Sequence, residues 1–299
     1  MANPLQELQT MDLDAPVEAP PLFMQDVSLA IHGREVVTEF DCFLDEGKVL
    51  GILGPSGAGK TAILHILLGL RKPKTGVVEV FGSKPGRWTR KQIRVGYLPE
   101  SPPGGNGRYP ASVMDIVLTG AYAASPRWAP VHKDYKLYAQ FLLAQFKLEQ
   151  DKDAPIHSLS AGKRQCANLA RALVAKPNLL LLDDPVKGLD PKDRSHFLQV
   201  FHDIRKQTAL SAVLTTTDPR FAVRACDSIV CLNHSITWQG KAEALNKETV
   251  TSLFGCDIDF RKQPNRQGPK RKPHAKHKHP KQHQPEQAKQ PKTTSLPDL

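Results

Sequence analysis

The stretch Val49-Leu50-Gly51-Ile52-Leu53-Gly54-Pro55-Ser56-Gly57-Ala58-Gly59-Lys60-Thr61 decides the fold. Its first five residues are apolar and too few for a helix, so they read as a buried strand. The next eight match GxxxxGK(S/T) at every fixed position. A helical pattern then runs through Leu70, with Ile63, Ile66, Leu67 and Leu70 on one face. Strand, glycine loop and helix in that order build an anion site. The glycines let successive backbone N–H groups turn inward, and the helix N-terminus adds partial positive charge. Gly54, Pro55, Ser56, Gly57, Ala58 and Gly59 form the loop. Lys60 is placed to reach the β and γ phosphates of a nucleotide, and Thr61 to set its hydroxyl on Mg²⁺.

Far along the chain, Leu179-Leu180-Leu181-Leu182-Asp183-Asp184 is an apolar strand ending in two carboxylates. Such a pair suits a metal held beside a phosphate by Asp183 and a water oriented by Asp184. Around these anchors the patterning alternates strands with helices. Leu22 to Ile31 and Val36 to Leu44 alternate apolar with polar residues about His32-Gly33-Arg34, which predicts an antiparallel hairpin. Further strands are expected at Val77 to Phe81, Val95 to Leu98 and Leu210 to Thr216, and helices at Ser160 to Ala175 and Pro191 to Gln207. Residues 111–150 read as helical. Crossover helices between strands imply a mainly parallel sheet.

The chain has 299 residues and a formal net charge of +11. From Arg261 to Leu299 there are 11 Lys/Arg against 2 Asp/Glu, a net +9, which leaves 30 against 28, or +2, for the rest. Basicity therefore belongs to the tail. No apolar run approaches the roughly 18 to 20 residues of a membrane-spanning helix. The first 20 residues carry Glu7, Asp12, Asp14 and Glu18 with no Lys or Arg, unlike a signal peptide. Five cysteines with no CxxC spacing read as reduced thiols of a cytosolic protein.

Taken in order, these motifs resemble the nucleotide-binding subunit of an ATP-binding cassette (ABC) transporter from about Leu22 to Phe260. Leu159-Ser160-Ala161-Gly162-Lys163-Arg164-Gln165 is similar to the family signature LSGGQ, and stands 20 residues before the acidic strand. Asp184-Pro185-Val186-Lys187-Gly188-Leu189-Asp190 looks like the Walker B end running into the D-loop. Gly96-Tyr97-Leu98-Pro99-Glu100 occupies the Q-loop position, and His32 falls where the family places an aromatic residue against adenine. The fold implied is an α/β P-loop NTPase with an antiparallel β subdomain, a mainly parallel core sheet and a helical subdomain at about 105–160. Segments 1–21 and 261–299 are expected to be a loose lead-in and a disordered tail.

The resemblance implies ATP and Mg²⁺ as cofactors, with Thr61, Asp183 and Glu100 toward the metal. It also implies a head-to-tail dimer, homomeric or heteromeric, in which Ser160, Ala161, Gly162, Lys163 and Asp190 of one subunit face ATP held by the other. The transport path is then a permease on another chain, and the protein sits on the inner face of the cell membrane. Departures from the family fall on the catalytic positions Asp184, Glu100 and Thr217. Asp184 stands for the usual Glu, Glu100 for the Q-loop Gln, and Thr217 for the switch His. Ala161 and Lys163 replace a signature Gly and Gln, and Ala62 keeps only its backbone N–H. ATP is thus expected to bind while intrinsic turnover is slow, an importer subunit being the first reading and a degenerate regulatory subunit the alternative.

Tyr109 to Gly120 is loosely similar to metal-ion and iron-chelate importer subunits. In the tail, His274, His277, His279 and His283 stand among lysines in a spacing that fixes no tetrahedral metal site. A solvated polycation resting on anionic lipid is expected there. Without aromatic residues to stack on bases, the tail gives no reason to expect a specific nucleic acid.

Overall fold

Residues 19–86, 93–101, 110–122 and 132–256 are described, from a computed structural model. The expected basic tail lies outside them, as do most of the lead-in and most of the Pro-rich loop beyond Ser101. The expected hairpin forms from Leu22–Ile31 (β1) and Arg34–Leu44 (β2), with Leu22 opposite Leu44 and Ile31 opposite Arg34. Val49–Leu53 (β3) is buried at every residue, as a central strand with both faces covered requires. Thr75–Glu79 (β4) pairs antiparallel with β1 and completes a three-stranded sheet in the order β2-β1-β4. This strand starts two residues before the expected Val77 and stops short of Phe81. Phe81 at φ 48° and Gly82 at φ 66° turn the chain, closed by reciprocal backbone bonds between Val80 and Ser83.

Helix α1, Lys60–Leu67, is shorter than the pattern suggested. Gly69 takes φ 71°, where a non-glycine residue is strained, and Leu70 emerges 68% exposed instead of joining the apolar face. Val95–Leu98 (β5), Val113–Thr119 (α2), Lys133–Gln145 (α3), Ala161–Leu173 (α4), Leu179–Asp183 (β6), Pro191–Gln207 (α5) and Ser211–Thr216 (β7) follow. The patterning placed no element beyond Thr216. Pro219–Ala225 (α6), Ser228–Asn233 (β8), Ser235–Lys241 (β9) and Lys247–Phe254 (α7) occupy that region. Local signals for them exist: Asp218 accepts from Arg220 N and Phe221 N with Pro219 in the first turn, and Asn246 caps α7.

The second sheet runs β5-β6-β7-β3-β8-β9, parallel except for β9 at the edge. Its period-2 alternation divides the core. Leu180, Leu182, Ala212 and Leu214 face one cluster with α2, α3, α4 and α5. Leu179, Leu181 and Val213 face another, in which Ile63, Leu64, Ile66 and Leu67 of α1 meet β1 and β2. Each fully buried aliphatic side chain stabilises the fold by about 1.5 to 3 kcal/mol relative to exposure. Helix α1 is thus fixed between two sheets, and its N-terminus cannot drift from the end of β3. β7 lies between β3 and β6, so the glycine loop, Asp183 and the Thr215 to Thr217 run share one carboxyl-end rim, where open parallel sheets bind ligands.

Candidate nucleotide site

The glycine loop is pinned from below. Gly54 N donates to Thr216 O at 3.2 Å, and His234 N, from the turn between β8 and β9, donates to Ala58 O at 3.2 Å. A Cβ at Gly54 would meet Leu232 O at 2.1 Å, so only glycine lets the loop approach β8 this closely. Gly57 and Gly59 take φ 85° and 100°, the left-handed values that turn N–H groups into the cradle, and a Cβ on Gly57 would project into open space.

Above the loop is a cavity of about 330 Å³. Ser56, Gly57, Gly59, Lys60, Thr61 and Ala62 line it, together with Glu100, Asp183, Asp184 and Thr217. Residues from four distant parts of the sequence thus meet around one space. Lys60 Nζ donates to the carbonyls of Gly54 and Pro55, both at 2.8 Å. Burial pushes its ammonium below the ordinary lysine range, against the pull of Asp184 and Asp183.

The threonines organise the two carboxylates. Thr215 Oγ1 donates to Asp183 Oδ1 at 2.6 Å and Thr61 Oγ1 to the same oxygen at 3.1 Å, so neither takes Oδ2. Thr216 Oγ1 donates to Asp184 Oδ1 at 3.3 Å and Thr217 Oγ1 to Asp184 Oδ2 at 3.2 Å. Asp184 sits at φ 41°, held there by its N–H on Thr215. Burial raises its carboxyl above the usual aspartate range, while Lys60 and the two hydroxyls oppose the rise. Glu100 is exposed and ion-paired with Lys187.

Other residues singled out in the sequence lie elsewhere. His32 is an exposed turn residue at φ 50° and does not line the cavity; its neighbour Ile31 does. Ser160, Ala161, Gly162, Lys163 and Asp190 do not line it either. Ser160 caps α4 through Lys163 N at 3.3 Å, Lys163 Nζ meets Asp151 at 2.7 Å, and Asp190 caps α5 through Asp193 N at 2.8 Å. A Cβ on Gly162 would fall 2.2 Å from the Asp193 carboxylate, so α4 and α5 touch there. The signature helix reaches the acidic turn through Gln165 Nε2, which donates to Pro185 O at 2.6 Å.

Ile31, His65, Arg71 and Lys187 line the cavity without having been anticipated. His65 was within reach of helical spacing, four residues after Thr61 and so on its face. The others depend on turns whose geometry the pattern does not reveal.

The donor set fits a magnesium nucleotide. N–H groups and an ammonium await phosphate, and a hydroxyl beside a carboxylate with a spare oxygen awaits a hard cation. A glycine loop opening a helix, with an acidic strand end across one intervening strand, defines a P-loop nucleoside triphosphatase. Residues 37–187 match the family described as ABC transporter. The chain belongs to that family, as an ABC-type ATPase that uses ATP with Mg²⁺.

Several known proteins are similar over most of its length. A "Probable metal transport system ATP-binding protein" of Thermotoga maritima is 29% identical over 79% of this chain and 91% of its own. A Chlamydia pneumoniae protein of the same description is 32% identical over 74% and 83%. Among solved structures, a chain from an inward-facing transporter assigned to the metal-chelate type is 27% identical with a TM-score of 0.68, over 79% of this chain and 89% of that one.

Proposed function

We propose that this ATPase energises the import of a metal ion or metal chelate through a transmembrane permease on another chain, and that its turnover in isolation is slow. The observation that carries the transport reading is the shared description of its relatives as metal transport ATP-binding proteins, over 79% and 74% of this chain. The cassette is taken to span 22–260, with a helical subdomain at 105–160 and flanking segments 1–21 and 261–299. It works as a head-to-tail dimer, the Ser160 end of one subunit closing on the cavity of the other, peripheral to the inner membrane face. The tail adds contact with anionic lipid. Among the described residues, no helix is long and apolar enough to cross a membrane.

Bound between Thr61, Asp183 and Glu100, Mg²⁺ would offset phosphate charge. The protein's own residues do the rest. Loop N–H groups and Lys60 position the triphosphate, and the N-terminus of α4 supplies donors to the partner's nucleotide. Asp184 orients water. Deletion of the gene in its source organism is expected to lower cell-associated transition metal, measured by elemental analysis. Wild type should restore it, and an ATP-binding-deficient variant should not. Unchanged content of every metal after deletion would sink the metal assignment.

Slow turnover rests on the catalytic end. Both Asp184 oxygens accept hydroxyls at the cavity floor, and Thr217 is held to that carboxylate. A displacement of about 1 Å at a reacting centre can cost on the order of a hundredfold in rate. Asp184→Glu, longer by one methylene, is expected to raise the Mg²⁺-dependent ATPase rate about tenfold in a phosphate-release assay. No rise would locate the defect in Thr217 or the signature and favour a regulatory subunit.

A further inference from the structure

The acidic end of the cavity holds a cation that the phosphate loop does not supply. Lys187 lies on the turn after β6, its N–H donating to Asp184 O at 3.0 Å, and its side chain lines the same cavity as Lys60, Asp183, Asp184 and Thr217. Its Nζ pairs with Glu100, two residues beyond β5. Since β5 and β6 are neighbours in register, with Leu98 opposite Leu182, the two side chains meet across the rim. Glu100, with smaller contributions from Asp184 and Asp183, pushes the Lys187 ammonium above its ordinary range.

Three carboxylates, Glu100, Asp183 and Asp184, border this end of the cavity, and Thr217 brings a neutral hydroxyl. That concentration of negative charge opposes a triphosphate unless a cation stands with it. Lys60 already lies in the field of Asp184 and Asp183, tethered to the Gly54 and Pro55 carbonyls. Lys187 is a second cation at this end, paired with Glu100.

We propose that Lys187 is a phosphate-binding residue of this site, held by Glu100 until ATP arrives and then transferred to the terminal phosphate, so that the cavity prefers triphosphate to diphosphate. The exchange is physically easy. Lys187 and Glu100 side chains are 52% and 41% exposed, and an ion pair so open to water holds weakly. A terminal phosphate offers three oxygens and more charge than one carboxylate, and the lysine stem has four rotatable carbons. Glu100 is released by the same movement and becomes available to the metal. ADP lacks the terminal phosphate and leaves the pair closed.

The inference rests on the nucleotide reading of the cavity, and equilibrium binding tests the two separately. The full chain would be titrated with a fluorescent non-hydrolysable ATP analogue and with fluorescent ADP, with and without Mg²⁺, for wild type, Lys187→Met, Lys187→Arg and Glu100→Gln. Lys187→Met should weaken the ATP analogue at least tenfold and ADP less than threefold. Lys187→Arg should keep the preference, and Glu100→Gln, which frees Lys187, should tighten the ATP analogue in the absence of Mg²⁺. Equal loss for both nucleotides, no loss, or, without Mg²⁺, a Glu100→Gln defect as large as that of Lys187→Met would overturn the proposal. Should Lys187→Met fail to fold, the Arg and Gln variants decide it. Wild type binding neither nucleotide would instead count against the nucleotide reading.

Discussion

Lys60→Met is expected to lower the affinity for ATP at least a hundredfold while leaving the fold intact. The affinity loss follows from the chemistry of the contact. Hydrogen bonds to charged groups contribute about 1.5 to 3 kcal/mol each, and Lys60 is placed to make them to two phosphate groups. At about 1.4 kcal/mol per tenfold, losing both costs two decades or more. The intact fold follows from compensation. Burial already pushes the Lys60 ammonium down from its ordinary range, so removing the charge relieves a desolvation cost. Against this, the Gly54 and Pro55 carbonyls lose their 2.8 Å donor, at about 1 to 3 kcal/mol each where no water replaces it. These effects oppose each other, and methionine keeps the side-chain volume. Thermal unfolding with and without ATP reads both. The variant should unfold near the wild-type temperature without nucleotide and lose the upward shift that saturating ATP gives wild type. An ATP-induced shift as large as that of wild type would show that Lys60 does not hold phosphate.

What the sequence made legible has a physical pattern. Lys60, Thr61 and Asp183 were readable because their roles follow from covalent proximity to a strand end: a glycine loop that opens a helix has few conformations, and a carboxylate after four buried leucines must emerge at the sheet rim. Ile31 was not readable, because whether Ile31 or His32 faces the cavity depends on the turn between β1 and β2. There Ile31 pairs with Arg34, and His32 and Gly33 both take positive φ, which sends His32 outward. A one-residue change of register exchanges the faces of a strand, and alternation alone does not fix where it ends. Lys187 was invisible for a related reason: its partner Glu100 is 87 residues away and meets it only because β5 and β6 are adjacent. Thr215 and Thr216 looked like strand residues and are that too, yet their hydroxyls set the two carboxylates. Beyond Thr216 the strands are short and α6 has seven residues, too few for periodicity to separate helix from strand.

Asp183→Asn should abolish Mg²⁺-supported hydrolysis and, in the same protein, raise the unfolding temperature by about 2 to 4 °C, the range that about 1 kcal/mol produces in a domain of this size. Asp183 is only 3% exposed, and its contacts are the hydroxyls of Thr61 and Thr215, which an asparagine oxygen accepts equally well. Shape and hydrogen bonds to Oδ1 therefore survive. The change replaces Oδ2 with an amide nitrogen and removes the charge, which takes away the anionic ligand a hard cation needs. The loss expected in a steady-state ATPase assay is a hundredfold or more, and Mg²⁺ should cease to strengthen ATP binding. Stability moves the other way because burying a charged carboxylate carries a desolvation cost that a neutral amide of the same shape does not. One term opposes the gain: Asp183 also helps Lys60 stay charged. It ranks behind Asp184 in that role, so most of the support remains after substitution. Opposite signs for activity and stability separate this prediction from mere structural damage, which would lower both. A variant less stable than wild type, or one whose ATP affinity still rises with Mg²⁺, would remove Asp183 from the metal site. A gain in stability would also mean that the carboxylate a magnesium nucleotide needs is held at a cost to the fold, as expected where function and stability conflict.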